Sequence, residues 1–168
     1  QAVATGESVL TKFLANDMVP AIANQTRMIC KDYAARGAAP SQNIKQSNRV
    51  LSPSDFGFHN SIRRQNGPLI FIDFEYFGWD DPTRLVSDFV LHPGMSLSNV
   101  NRQKFVKECL EIFSTDDEFA HRLDLLHPLV VLRWCMILLN EFLPEKWNAR
   151  FTINREFIEE IQQNQLKK

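Results

Sequence analysis

The spacing of apolar residues predicts a helical beginning to the chain. Apolar side chains recur at helical intervals in "ESVLTKFLAND" and again in "PAIANQTRMICKDYAARG", which has Pro20 near its start and stops at Gly37. We therefore predict two helices in this part of the chain. Residues 38–48, "AAPSQNIKQSN", are polar and aperiodic, which indicates a loop.

The hydrophobic period then becomes strand-like. "RVLS" predicts a short strand and "SPSDFGFHN" an irregular loop. "SIRR" and "PLIFIDF" predict two strands joined at Asn66-Gly67, because Asn-Gly favours the positive φ angles that a two-residue hairpin turn needs at both positions. The sequence therefore predicts a β-hairpin over residues 61–74.

Helical spacing returns after the hairpin. "PTRLVSDFVLH" and "NVNRQKFVKECLEIFS" each predict one helix. Asp116-Asp117 lead into a long helix or helix pair that ends at Pro144 and that Pro128 is expected to break or kink. "NREFIEEIQQNQLKK" predicts a last helix with a fraying end. The predicted fold class is therefore mainly α with a small β-hairpin, in a single domain over residues 1–168.

The most apolar stretch is "LVVLRWCMILLNEFL", which Arg133 and Glu141 interrupt. A membrane span needs about 20 consecutive apolar residues, so this stretch is too short and too charged to be one. We predict instead a buried core helix, with Trp134 and Phe142 in the core and Cys135 as a buried, unreactive thiol.

Composition and charge exclude several classes of function. Hydrophobic residues make up 44% of the 168 residues and charged residues 23%, as in ordinary globular proteins, and the formal net charge is -1. The only candidate basic patch is the pair Arg63-Arg64. This balance argues against nucleic acid or an anionic membrane as a partner.

The three cysteines are too widely spaced for a disulfide framework or a zinc site. Their number and spacing favour a reducing, cytoplasmic location, and no signal peptide is recognised. The chain begins at Gln1 rather than Met, which predicts that a further portion precedes it in the intact protein.

Oxygen-bearing side chains gather in the hairpin segment. Asp55 and Asn60 lie just before the first predicted strand, and Asp73 follows the second. Phosphoryl transfer uses a carboxylate that accepts the proton of the attacking hydroxyl, and oxygen ligands that hold Mg2+ against the phosphates. An Asp-x-x-x-x-Asn pair alone is a weak signal. Its place before a hairpin that runs straight into an aspartate makes the pattern specific.

Residues 50–92 resemble the C-terminal lobe of the aminoglycoside phosphotransferase and choline kinase superfamily, which shares the protein-kinase-like fold. Those enzymes carry a His-Gly-Asp-x-x-x-x-Asn loop and an Ile-Asp-Phe/Trp-Glu strand end, where this chain has "PSDFGFHN" and "IDFEYFGWDDP". The resemblance implies the helical lobe of a protein-kinase-like α+β fold. It also implies an enzyme that transfers the γ-phosphoryl group of ATP or GTP to a hydroxyl of a small molecule.

The resemblance assigns roles to individual residues. It implies Asp55 as the catalytic base, and Asn60 and Asp73 as ligands of Mg2+. Asp88, in "VSDFV", resembles a later aspartate of the family that is mainly structural.

The chain departs from the family pattern in two ways. Pro53 replaces the usual histidine that supports the catalytic loop. Nothing before residue 50 resembles the nucleotide-binding N-terminal lobe, which has a glycine-rich strand pair and a strand lysine paired with a helical glutamate. The isolated chain is therefore expected to be inactive without that lobe.

Five further residues are open to two interpretations. His59 is a candidate for a catalytic role or substrate contact or, more commonly for such a residue, a loop-packing or hydrogen-bonding side chain. Glu75, Asp80 and Asp81 line a cationic substrate site or supply extra metal contacts, or they are solvated loop charges, with Asp81 before Pro82 as a helix start. Trp79 stacks on a substrate ring or is a half-buried aromatic.

Three functions are therefore open: a small-molecule kinase, a catalytically silent pseudokinase-like binding or scaffold module, and a metal-dependent phosphohydrolase that uses the same carboxylates. The kinase hypothesis is favoured, with Mg2+ and ATP or GTP as cofactors and a small hydroxylated molecule as substrate. Its expected partners are the missing lobe or, through an exposed lobe interface, a second copy of the chain.

Overall fold

The computed structural model describes residues 9–143 and 160–164 of a mainly helical chain. The chain divides into two compact units, the first formed by Gln1–Arg27 with Leu132–Lys168 and the second by Met28–Val131. All the candidate site residues belong to the second unit. No helix in the described residues is long and apolar enough to cross a membrane. The single-domain interpretation stays a prediction.

The beginning of the described chain is one helix rather than the two that the sequence predicts. Residues 9–13 are α-helical, a π-helical turn follows over Leu14–Met18, and α1 spans Val19–Ala35. Pro20 has no N–H to donate within a helix, and its ring clashes with the preceding turn of a regular α-helix. The wider turn, closed by a bond from Val19 N–H to the Leu14 carbonyl, lies directly before this proline and lets the helix continue.

The strands form two antiparallel pairs. The predicted hairpin is confirmed: β2 (Ser61–Arg63) pairs with β3 (Leu69–Phe71), with Ile62 opposite Ile70. The predicted strand "RVLS" is confirmed as β1, Val50–Ser52.

The hairpin turn differs from the predicted two-residue type. Gly67 N–H donates to the Arg64 carbonyl over 2.9 Å, and Asn66 takes a left-handed φ of 57°. Gly67 does not take a positive φ. The turn is therefore a four-residue β-turn in which Asn66, not both central residues, supplies the unusual backbone angle.

Sequence reasoning missed β4, which spans Gly78–Asp80 and pairs with β1 so that Leu51 lies opposite Trp79. The prediction that Trp79 is half-buried is wrong, since 69% of this residue is exposed. Its partner Leu51 is exposed as well. β1 and β4 form a two-stranded ribbon. Leu51 and Trp79 lie on the same face of this ribbon, which the described residues leave exposed to solvent.

The three later helices are α2 (Pro82–Leu91), α3 (Asn99–Ile112) and α4 (Phe119–Leu138). They confirm the helices predicted at these positions. Pro128 lies inside α4 and does not end it. Short 3-10 turns cover Pro93–Met95, after α2, and Leu139–Phe142, after α4.

Two contiguous hydrophobic clusters form the core of the second unit. The first joins α2, α3 and α4 through Val86, Cys109, Phe119 and Leu123. The second contains Phe89, Val90 and Met95, with Phe56 of the loop after β1 packed against it. Phe56 stacks on Phe89 at 5.5 Å between ring centroids, so the residue directly after Asp55 is anchored to α2.

The prediction of a buried core helix over residues 129–143 is wrong for the side chains that the structure describes there. None of them is buried, and Trp134, Cys135 and Phe142 are half-buried. A helix that is apolar on every side is buried only if neighbours surround it. The exposed large apolar residues of this stretch are Leu129, Met136, Ile137 and Leu143. Of the predicted last helix, residues 160–164 are described and helical; its remainder and Pro144 lie outside the described residues.

Candidate active site

The loop that carries Asp55 begins with a tight turn. Asp55 N–H donates to the Pro53 carbonyl over 2.7 Å, and Ser54 between them has a φ of 61°. These are the features of a γ-turn with positive φ, a rare and strained conformation. Ser54 N–H donates to Oγ of the buried Ser52, and Ser54 Oγ donates to the Tyr76 carbonyl. The turn is therefore held by hydrogen bonds to β1 and to the segment after β3. Its first residue is Pro53, the proline that replaces the histidine of the family pattern.

Asp55 and Asn60 are in direct contact. Asn60 Nδ2 donates to the backbone carbonyl of Asp55 over 3.0 Å and to its Oδ2 over 3.1 Å. An amide side chain has two donor hydrogens on nitrogen and an acceptor oxygen. Because Nδ2 faces Asp55, Oδ1 of Asn60 is the atom that can meet a cation.

Asp73 lies beside this pair. Ile72 N–H donates to the Asn60 carbonyl over 2.9 Å, which brings the residue before Asp73 against the turn that ends at Asn60. Asp73 itself has a φ of 65°. A positive φ is uncommon outside glycine, and such residues cluster at functional sites.

The pKa of Tyr76 is affected by three acidic residues, Glu75, Asp73 and Asp55. A hydrogen bond with Glu75 is the main reason that the pKa of Tyr76 is raised, and the Glu75 charge adds to it. The charges of Asp73 and Asp55 raise the pKa of Tyr76 further. Glu75 therefore contacts the Tyr76 hydroxyl, and Asp73 and Asp55 are near enough for their charges to act on it.

His59 contacts Asp55 rather than standing apart as a substrate ligand. His59 Nε2 lies 2.9 Å from Asp55 Oδ1. A carboxylate only accepts hydrogen bonds, so His59 Nε2 carries the proton and donates it. His59 Nδ1 is buried and has no hydrogen-bond partner among the described residues.

His92 is the site residue that sequence reasoning missed. Its ring stacks on His59 with centroids 3.7 Å apart and planes 6° from parallel, and its Nε2 is 3.7 Å from Asp55 Oδ1. Gly94 N–H donates to His92 Nδ1 over 3.1 Å. Burial is the main cause that lowers the pKa of His92, and the neighbouring His59 acts in the same direction.

By distance alone, Asp55, His59 and His92 could hold a metal ion, since one ligand atom of each lies within 4.8 Å of the others. The ring geometry opposes this. A ring nitrogen binds a metal through a lone pair in the ring plane, and two parallel stacked rings direct these lone pairs side by side. His92 Nδ1 also accepts a bond, so the neutral ring carries its proton on Nε2, the atom that faces Asp55. In this arrangement His59 is hydrogen-bonded to the carboxylate and His92 stacks on His59.

Asp80 and Asp81 face arginines instead of this cluster. Asp80 Oδ2 is 2.9 Å from Arg84 Nη1, and Asp81 Oδ2 is 3.1 Å from Arg122 Nε. Asp81 also caps α2 by accepting from Thr83 N–H, which confirms the predicted helix start. The structure therefore supports the structural alternative for both aspartates.

Asp88 is buried in α2, with its Oδ2 3.5 Å from Arg84 Nε. Within the described residues, by contrast, no lysine or arginine lies within 4.0 Å of the carboxylates of Asp55, Asp73 or Glu75. The structure thus brings Asp55, Asn60, Asp73, Glu75 and His59 to one region, and holds Asp80, Asp81 and Asp88 in ion pairs.

No family model, curated protein or solved structure matches the chain.

Proposed function

We propose that the chain carries the catalytic loop of a Mg2+-dependent phosphotransferase that passes the γ-phosphoryl group of ATP or GTP to a hydroxyl of a small molecule. The observation that supports this most directly is the contact of Asp55 with Asn60 beside Asp73, where no lysine or arginine of the described residues pairs with either carboxylate. The resemblance of "PSDFGFHN" and "IDFEYFGWDDP" to the kinase-like superfamily supports the same function.

The donor atoms fit a magnesium ion. Mg2+ prefers oxygen ligands and keeps several waters, so one amide oxygen and one carboxylate leave room for phosphate oxygens. Asn60 Oδ1 and the Asp73 carboxylate are the residues that would hold it. When bound, the ion neutralises charge on the transferring phosphoryl group.

Asp55 suits the role of general base. Its Oδ1 accepts from His59 and its Oδ2 from Asn60, and each carboxylate oxygen has a second lone pair for a substrate hydroxyl. During transfer the hydroxyl oxygen bonds to the γ-phosphorus, the bond to the bridging oxygen breaks, and the nucleoside diphosphate leaves. The proton of the hydroxyl passes to Asp55.

The apolar surface near the site fits a second lobe that covers the nucleotide. Large hydrophobic residues are exposed throughout the strands and loops of this region, a pattern typical of interaction surfaces. They are Leu51, Phe58, Ile62, Ile70, Ile72, Phe74, Tyr76, Phe77 and Trp79. We propose that the nucleotide-binding lobe of the intact protein packs here, and that a separately produced 168-residue chain is inactive.

The test is phosphoryl transfer by the full-length product of the reading frame that encodes this chain, with labelled ATP or GTP and a panel of hydroxylated acceptors. Asp55→Asn should lower kcat by roughly 100- to 10,000-fold, the usual contribution of a general base, and leave nucleotide-Mg2+ binding largely intact. Asp73→Asn should abolish turnover through loss of the metal.

Asp117→Asn is the matched control, because Asp117 is an exposed aspartate outside the hairpin region. It should retain the wild-type rate. Robust turnover in both site variants would exclude the assignment. A folded wild-type protein that binds nucleotide without transfer to any acceptor would favour the pseudokinase-like alternative, and phosphate release without an acceptor would favour the phosphohydrolase.

A further inference from the structure

We propose that His92 is a positioning residue for Asp55, acting through His59. The ring of His92 holds the imidazole of His59 flat, and this directs His59 Nε2–H at Asp55 Oδ1. The inference rests on the proposed function, in which Asp55 is the base, and it adds a residue that lies outside the catalytic-loop motif.

The stacking of the two rings fixes the orientation of the His59 ring. The two rings are 6° from parallel with centroids 3.7 Å apart, so rotation of the His59 ring about its side-chain bonds would drive it into His92. The 2.9 Å bond from His59 Nε2 to Asp55 Oδ1 depends on that orientation.

His92 is itself fixed by backbone groups. Its N–H donates to the Asp88 carbonyl at the end of α2, and its Nδ1 accepts from Gly94 N–H. The ring therefore belongs to a helix end and a 3-10 turn that are both packed on the core, since Met95 of that turn is 7% exposed. Phe58 N–H donates to Met95 Sδ, which ties the turn that carries His59 to the turn that follows His92.

The space for the two rings is made by glycines. A Cβ at Gly57 would lie 2.6 Å from His59 Cε1, and one at Gly94 would lie 3.0 Å from His92 Cε1. Real Cβ atoms essentially never make contacts shorter than 3.0 Å. Gly57 has a φ of 175°, which any residue adopts, so its lack of a side chain matters for space alone.

The arrangement gives each oxygen of Asp55 one donor. His59 supplies Oδ1 and Asn60 supplies Oδ2, and both donors come from one 3-10 turn, Phe58–Asn60. Loss of the His92 ring frees His59 to turn, and the carboxylate then loses the donor that fixes one of its two oxygens. A displacement of about 1 Å of a catalytic group costs up to about 100-fold in rate.

The test compares three variants of the full-length protein. His92→Phe keeps a flat ring over His59, whereas His92→Leu removes it, and His92→Asn removes it but keeps an acceptor for Gly94 N–H. We expect His92→Leu and His92→Asn to lower kcat roughly 10- to 100-fold with KM for nucleotide and acceptor nearly unchanged. His92→Phe should keep kcat within about 3-fold of the wild type.

A second readout does not depend on catalysis. Nitrogen NMR of histidine-labelled protein at alkaline pH reports which ring nitrogen carries the proton. The wild type and His92→Phe should show His59 as the Nε2–H tautomer, and the variants without a ring should show a mixture of both tautomers.

Each outcome decides the inference. If His92→Leu and His92→Asn keep the wild-type kcat and the Nε2–H tautomer, His92 does not position Asp55. If all three variants lose activity equally while the tautomer is unchanged, the stacked ring is not the cause. If His92→Leu fails to fold, the comparison of His92→Phe with His92→Asn still tests whether the ring is needed. A wild type without transferase activity refutes the proposed function, and the tautomer comparison still tests the positioning role.

Discussion

Two regions of the second unit differ in whether their aspartates are paired with an arginine. In the helical core, residues 81–127, Arg122 bridges Asp81 and Asp116, with its Nη2 only 2.7 Å from Asp116 Oδ2. In the hairpin region, residues 50–80, Asp80 pairs with Arg84, but Asp55 and Asp73 have no arginine or lysine partner among the described residues. The core thus pairs its partly buried aspartates Asp81 and Asp116 with an arginine, whereas Asp55 and Asp73 lack such a partner.

The apolar residues follow the same division. The core buries Val86, Cys109 and Phe119 almost completely, and burial raises the pKa of the Cys109 thiol to about 11. The hairpin region instead exposes most of its large apolar side chains, including Trp79 and Tyr76. Natural proteins keep such surface and backbone strain where function requires it, and pay for it with a well-packed scaffold elsewhere.

The largest expected effect on stability comes from breaking the charge network of the core. Arg122→Met should lower the free energy of unfolding by roughly 3 kcal/mol, because it leaves two partly buried carboxylates without their cation. Burial lowers the pKa of Arg122, but hydrogen bonds with Asp116 and Asp81 outweigh it and raise the pKa overall. Chemical denaturation measures the effect. Lys104→Met, which removes one side of an ion pair exposed at both ends, should cost less than about 1 kcal/mol.

The next effect concerns the space around the stacked rings of His59 and His92. Gly57→Ala should destabilise the protein by about 1 to 3 kcal/mol, since its Cβ overlaps the His59 ring and Met95 Sδ. Gly78→Ala is the matched control, because a Cβ there meets nothing within 4 Å. Thermal unfolding of the two variants checks this, and equal midpoints would mean that the rings are not tightly enclosed.

A pH dependence follows from Asp116. Burial raises its pKa, but the hydrogen bond and charge of Arg122 outweigh this and leave the pKa lowered. A carboxyl group with a lowered pKa in the folded state stabilises the fold above its unfolded pKa of about 3.9, and this contribution is lost as the pH falls through the folded pKa. Denaturant titrations at pH 7 and pH 3 should show a smaller loss for Asp116→Asn than for the wild type. An equal loss would place the acid sensitivity elsewhere.

The smallest effect on stability is expected at the ribbon formed by β1 and β4. Trp79→Thr should change the free energy of unfolding by less than about 0.5 kcal/mol, because 69% of the residue is exposed. If the residue contacts the proposed nucleotide-binding lobe, the same change should lower nucleotide affinity in the full-length protein. A large loss of stability in the 168-residue chain would contradict the exposed position.

Local chemistry made some features predictable from the sequence. The strands around Asn66 and the Asp81-Pro82 helix start depend on residues a few positions apart, and both are present, although the turn between the strands is not the predicted two-residue type. The sequence singled out Asp55 and Asn60 by their place before the hairpin, and the contact between their side chains is visible only in the structure.

Features that depend on distant contacts were not predictable. The pairing of β4 with β1 joins segments separated by the whole hairpin, and "GWD" carries no alternation that announces a strand. His92 lies 3.7 Å from Asp55 because α2 ends beside the loop that carries Asp55. The exposure of residues 129–143 depends on which neighbours cover a helix, a property that apolar composition does not reveal.

The measurement that tests the account most directly is Mn2+ binding in the presence of nucleotide, with Mn2+ as a paramagnetic substitute for Mg2+ in the full-length protein. We predict that Asp73→Asn, in the hairpin region, weakens metal-nucleotide affinity at least about 10-fold, or ~1.4 kcal/mol. Asp80→Asn, whose carboxylate already has Arg84 as its partner, should stay within about 2-fold of the wild type. Equal affinities for the wild type and both variants would contradict the claim that the unneutralised carboxylates hold the metal.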